Sequence, residues 1–173
     1  MKYLLPLLLF TSSLFAQESC DDFLSIMGQL DNSQTVMDFQ KNYGPFEEKV
    51  SSDRKTKTWI SKEKGMEITF TNDGKSESAE FVLTVILLES STSKGGFTGQ
   101  LPFGLEKEMD AHAISKHIKK RKDMEYTNRE LGISRSYFTY TGKINEVTEG
   151  KKIKIYLEQY RGTGITSMRL TLR

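Results

Sequence analysis

The sequence predicts an α+β fold: two helix-plus-antiparallel-meander repeats that form a continuous sheet with helices on one face. Three observations predict it. Apolar residues recur at helix spacing near the start of each half, around Phe23–Tyr43 and Ala113–Ile118. Strict period-two alternation follows each helical stretch, as in Met66-Glu67-Ile68-Thr69-Phe70 and Ile153-Lys154-Ile155-Tyr156-Leu157. The alternating parts of the two halves also match one another at a fixed shift of 85 residues.

The chain opens with an export signal. Lys2 gives a basic start, Leu4 to Phe10 an apolar core, and Thr11 to Ala16 a polar-small stretch. Signal peptidase needs a small residue before its cut, so residues 1–16 are read as the signal, cleaved at Ala16/Gln17. The apolar core falls short of the ~20 residues that span a bilayer, and no other segment approaches that length. The competing reading, a buried N-terminal helix, lacks a polar face. Cys20 follows Gln17-Glu18-Ser19 rather than the apolar-small-small triplet of a lipoprotein signal, which argues against lipid anchoring there. It is the only cysteine, so the fold has no internal disulfide. It reads as a small apolar residue of the first helix or as an intermolecular link.

Without the signal the chain keeps 157 residues, with 24 basic and 23 acidic side chains. That length suits one medium domain or two small ones. The near balance argues against a dedicated nucleic-acid binder, which usually carries a strong basic excess. Of the ten Phe and seven Tyr, eight Phe and six Tyr lie after residue 16 and supply material for a core without disulfides.

The expected organisation is a first helix and three strands over residues 17–90, a polar linker at 91–98, and a second helix and three strands over 99–173. Phe23, Ile26, Met27 and Leu30 lie at helix spacing. Asp31-Asn32-Ser33 interrupts and offers a cap, and Val36, Phe39 and Tyr43 form a second stripe closed by Gly44-Pro45. Strands are expected at Thr56–Ser61, Met66–Thr71 and from Ala79 to Leu88, joined by turns at Lys62–Gly65 and Asn72-Asp73-Gly74-Lys75. Leu83, Val85 and Leu87 are expected on one face of the third strand. Asp110 is a helix cap, and Lys119-Lys120-Arg121-Lys122 closes that helix where the backbone dipole is negative. Further strands are expected at Ser134–Thr141, Lys152–Gln159 and Ile165–Leu172.

The 85-residue shift places Gly65 on Gly150, Ile68 on Ile153, Phe70 on Ile155, Leu83 on Met168, Val85 on Leu170 and Leu87 on Leu172. Gly99-Gln100-Leu101-Pro102-Phe103-Gly104-Leu105, then Met109-Asp110, a helix and strands, resembles a pattern of secreted domains. It is similar to the fold shared by beta-lactamase inhibitor proteins and the small outer-membrane assembly lipoproteins. The resemblance implies tandem helix-and-meander units. The chain departs from the inhibitors in having no cysteine pair in each repeat, and from the lipoproteins in its signal. The resemblance therefore implies a fold, and neither lactamase inhibition nor assembly activity.

No catalytic or metal-binding constellation stands out, and no cofactor is expected. His112 and His117 are five apart, about 140° around a helix, where chelation wants three or four. No GxSxG elbow is present. Gly162-Thr163-Gly164 lies between two strands and reads as a hairpin turn rather than a phosphate loop. Lys119, Lys120, Arg121 and Lys122 form a basic patch that either meets an anionic partner or is a solvated helix end. The positive sign is aromatic. Tyr137, Tyr156 and Tyr160, with Trp59 from the first half, are expected on an open sheet face, the alternative being a face covered by helices or loops. If Phe138 faces the core, Tyr140 shares its side and Tyr137 does not. Exposed Tyr and Trp are enriched at interface hot spots. The expectation is an exported, non-enzymatic binding module of the envelope or extracellular space with a protein partner. The alternatives are a hydrolase using scattered carboxylates with a histidine, or a structural envelope protein linked through Cys20.

Overall fold

The computed structural model describes residues 22–72, 80–90, 95–122, 124–131, 134–143 and 152–173. Residues 1–16, read from the sequence as a signal, Cys20, the Asp73-Gly74 turn, Ala79, residues 91–94 of the expected linker and Gly150 lie outside the described residues. A helical segment at residues 22–26 leads to α1 (Gln34–Tyr43). Strands β1 (Glu47–Val50), β2 (Thr56–Ser61), β3 (Met66–Thr71) and β4 (Val82–Glu89) follow. A 3₁₀ turn (Pro102–Gly104) precedes α2 (Ala111–Lys119). The chain then forms β5 (Met124–Leu131), β6 (Arg135–Lys143), β7 (Lys152–Tyr160) and β8 (Gly164–Leu172). All eight strands make one antiparallel sheet in the order β1-β2-β3-β4-β8-β7-β6-β5.

Each helix therefore precedes four strands rather than the expected three. The additional strands, β1 and β5, are the two edges of the sheet. β1 is Glu-Glu-Lys-Val with every residue exposed, so it has no alternation to read. Charge and shortness at an edge disfavour pairing with another chain. β5 carries a bulge between Tyr126 and Asn128, which breaks the period of its sequence.

Local chemistry explains the helices. The Ser33 hydroxyl accepts from the Val36 amide at 3.4 Å, and the Asp110 carboxylate accepts from the Ala113 amide at 2.7 Å. Each cap satisfies a donor that has no partner within the helix. Val36 and Phe39 of α1, and Ile114 and Ile118 of α2, are buried in the core. The first helical segment stops earlier than its apolar spacing suggests. Gly28 donates to the Leu83 carbonyl at 2.9 Å, Leu83 donates to Gln29 at 2.9 Å, and Leu30 bridges Val82. Residues 28–31 thus pair with the start of β4, which extends past the end of β8.

The core lies on one face of the sheet. It takes Ile68 and Phe70 from β3, Leu83, Ile86 and Leu88 from β4, and Met168 and Leu170 from β8. Ile153, Ile155 and Leu157 of β7 and Phe138 and Tyr140 of β6 complete it. Phe23 joins the layers, with ring centroids 5.4 Å from Phe39 and 5.5 Å from Phe97.

The third expected strand changes phase at a bulge. Thr69 pairs with Val85 but Phe70 pairs with Leu83, leaving Thr84 as the extra residue. Leu83 is buried, and the core side continues with Ile86 and Leu88, so Val85 and Leu87 lie opposite. An equivalent break occurs in β8, where Glu158 pairs with Ser167 and Gln159 with Ile165, leaving Thr166. Both extra threonines donate to the facing strand: Thr84 to the Thr69 carbonyl at 3.3 Å, Thr166 to the Glu158 carbonyl at 3.2 Å. The 85-residue shift does not keep faces in register through β4 and β8, because it sets the outward Val85 on the buried Leu170.

The Leu101–Leu105 loop docks beneath α2 with Leu101, Phe103 and Leu105 buried. Phe103 adopts a positive φ of 65°. The Arg121 guanidinium donates to its carbonyl at 2.6 Å, and His117 Nε2 lies 3.0 Å from the same oxygen. A left-handed non-glycine residue costs ~1–3 kcal/mol and persists when its surroundings over-determine it. Here ring burial and two side chains on one carbonyl do so.

Candidate functional site

The second face of the sheet carries the outward alternates of every strand. Parity fixes them. In β7 Ile153, Ile155, Leu157 and Gln159 are buried, so Lys154, Tyr156, Glu158 and Tyr160 point the other way. In β8 Met168 and Leu170 are buried, so Ser167, Arg169 and Thr171 share the outer face. In β6 Phe138 and Tyr140 are buried, and Tyr137 lies opposite, as the phase argument expects.

Register assembles these side chains. Tyr137 pairs with Glu158 and Thr139 with Tyr156, which makes Tyr137 and Tyr156 diagonal neighbours. Their rings stack, with centroids 5.9 Å apart and planes 27° apart. Tyr156 is 36% exposed and Tyr160 39%, high for aromatic side chains. Tyr156 pairs across β7–β8 with Arg169, and Lys154 pairs with Thr171. A concavity of ≈ 600 Å³ lies on this face, lined by strand residues that include Leu87, Lys154, Tyr156, Glu158 and Arg169.

Arg135 organises the tyrosine end. Its guanidinium binds the Glu158 carboxylate at 2.9 Å and lies 5.8 Å from the centre of the Tyr160 ring. Hydrogen bonding with Tyr137, then attraction to Glu158, raises its pKa further above the ordinary arginine value. The Tyr156 phenol is held above the usual tyrosine value of 10.0. Burial is the main cause, followed by Tyr137, Glu158 and Glu130, with Arg169 opposing them. At neutral pH Tyr156 is therefore a neutral phenol and Arg135 a cation.

Trp59 does not belong to this surface. It is 4% exposed on the core side of β2, edge-on to Phe70 at 4.7 Å and stacked with Phe46 at 5.8 Å. Its indole nitrogen donates to Glu48 Oε2 at 2.9 Å. The polar neighbours that suggest an outward Trp59 are themselves turned inward. Lys57 forms an ion pair with Asp31 and lies 5.3 Å from the Phe81 ring centre, while Ser61 is buried. The long lysine stem lets a charged residue occupy a core-side position.

The basic run divides as well. Lys119, Lys120 and Lys122 are exposed, but Arg121 is half-buried and bound to the Phe103 carbonyl, with its guanidinium 5.9 Å from that ring. Arg121 thus anchors the Leu101–Leu105 loop, on the opposite side of the sheet from the tyrosines. Sequence reasoning missed Lys154, Arg169 and Arg135. The first two have a signal, because Lys154 shares the parity of Tyr156 and Arg169 falls between Met168 and Leu170.

Among the described residues no three His, Cys, Asp or Glu side chains converge as a metal site. No helix among them is long and apolar enough to cross a membrane. No family model matches the chain, and no curated protein or solved structure matches it.

Proposed function

We propose that this protein is an exported, non-enzymatic binding module that recognises a protein partner through the outer face of β6, β7 and β8. The observation that carries the reading is the stacked, partly exposed Tyr137–Tyr156 pair beside the ≈ 600 Å³ concavity. Two rings held by their own stacking and by register lose little side-chain freedom on binding, the usual advantage of tyrosine at interfaces. Export rests on the basic, apolar and small-residue order of residues 1–16. A tandem origin for the two halves is part of the same reading. It is supported by the recurring helix-then-four-strands order and by the matching bulges at Thr84 and Thr166.

The test is a quantitative pull-down from native envelope and culture medium with the parent protein and a Tyr137→Ala/Tyr156→Ala variant. The reading expects an enriched partner that the variant loses while its circular dichroism spectrum is unchanged. Equal capture by parent and variant would remove the sheet face from the account.

A further inference from the structure

We infer that the segment seated on this face is acidic: a carboxylate-rich stretch of a protein, gripped by Lys154 and Arg169 beside the tyrosine pair. The inference rests on the sheet-face reading and deepens it. Lys154 pairs with Thr171, two residues from Arg169 on the same face. The two cations are therefore diagonal cross-strand neighbours, with backbones about 7–8 Å apart. Both line the concavity, as does Arg173.

Charge balance favours an anion. Of the carboxylates in that lining, Glu158 is bound by Arg135 at 2.9 Å and Glu89 faces Ser167 from β4, both diagonal to Arg169, and the cations Lys154, Arg169 and Arg173 outnumber them. Among the described residues Lys154 and Arg169 have no carboxylate partner. Two like charges on one face repel each other, and a bound carboxylate relieves that repulsion. Arg169 offers the planar fork that suits carboxylates. The shape favours a protein segment over a lipid surface. A concavity of ≈ 600 Å³ with Lys154 and Arg169 in its lining admits side chains of a partner, whereas a bilayer presents a broad, flat surface.

The probe is a fluorescein-labelled oligoglutamate peptide, with glycine-serine and oligolysine peptides of equal length as references. Fluorescence anisotropy should show oligoglutamate binding that weakens as salt rises and falls about tenfold or more in Lys154→Glu/Arg169→Glu. Lys154→Gln/Arg169→Gln serves if the reversal variant does not fold, with a smaller loss in the same direction. Binding no stronger than that of the glycine-serine peptide overturns the inference, as does binding equal in parent and variants. So does preferential binding to phosphatidylglycerol-containing vesicles with none to the peptide. The envelope pull-down separates the two levels. Capture lost in Tyr137→Ala/Tyr156→Ala but kept in Lys154→Glu/Arg169→Glu overturns the acidic partner and spares the face. Capture kept in both removes the face itself.

Discussion

Replacing Gly164 with Ala should destabilise the protein much more than replacing Gly162, although both glycines have a positive φ. Gly162 has φ 89°, and a Cβ there meets nothing within 4 Å. Gly164 has φ 80°, and a Cβ would sit 2.1 Å from the Lys107 carbonyl oxygen and 2.9 Å from Glu108 Cα. The left-handed backbone alone costs alanine roughly 1–2 kcal/mol at either site. At Gly164 the collision must also displace the Lys107 carbonyl, which accepts from the Ile165 amide at 2.7 Å. Losing that bond adds ~0.5–1.5 kcal/mol, and leaving its buried groups unsatisfied raises the figure to ~1–3 kcal/mol. Gly164→Ala should therefore cost ~2–5 kcal/mol in total, and Gly162→Ala ~1–2 kcal/mol. For a chain of this size the Gly164 loss lowers Tm by roughly 4–20 °C. Urea denaturation of both variants beside the parent measures the difference directly. Equal losses would mean that the segment around Lys107 does not pack on the β7–β8 turn, and the reasoning would fail.

Other outcomes follow from the same packing. Trp59→Ala should cost ~3–5 kcal/mol as a buried aromatic truncation, read by thermal melting; a loss under about 1 kcal/mol would contradict its burial. Arg121→Ala should cost ~1.5–3 kcal/mol, since it removes a charged donor from the Phe103 carbonyl, and it should leave partner capture unchanged. Tyr156 has a raised folded pKa, so its contribution to stability is fully present below the ordinary tyrosine value of 10.0 and is lost as pH rises through the raised value. The 295 nm titration difference between the parent and Tyr156→Phe should have its midpoint above that ordinary value; a midpoint below it would contradict the burial.

The sequence makes the central strands legible because they bury one face against helices. Alternation along β7 sorts Ile153, Ile155 and Leu157 from Tyr156, and the same logic separates Phe138 and Tyr140 from Tyr137. The caps at Ser33 and Asp110 are readable because short polar side chains there satisfy amides that the helix cannot. The edges are not readable. β1 buries nothing, and a strand without a buried face has no pattern. The bulge at Thr84 is also silent, because Leu83, Val85, Ile86 and Leu87 are all apolar and either phase satisfies the residue types. Trp59 is misplaced for a related reason: its strand neighbours Lys57 and Ser61 look solvent-facing, and the ion pairs that hold Lys57 inward come from Asp31 and Glu48 on other segments.

The candidate site was half legible. Tyr137, Tyr156 and Tyr160 could be assigned to a face by parity alone, but parity does not say which strand lies beside which. The pairing of β7 with β8 brings Arg169 to Tyr156, and β4 next to β8 adds Leu87 and Glu89 to the same hollow. These are consequences of strand order, which a local pattern does not encode.

The most direct test of the binding face is site-specific photo-crosslinking in the native host. Benzoylphenylalanine placed at Tyr156 probes the outer sheet face, and the same group at Met37, which is 45% exposed on α1, probes the helical side. The account predicts a discrete crosslinked partner from Tyr156 and none from Met37. A partner captured from Met37 and not from Tyr156 would contradict it and move the binding surface to the helices.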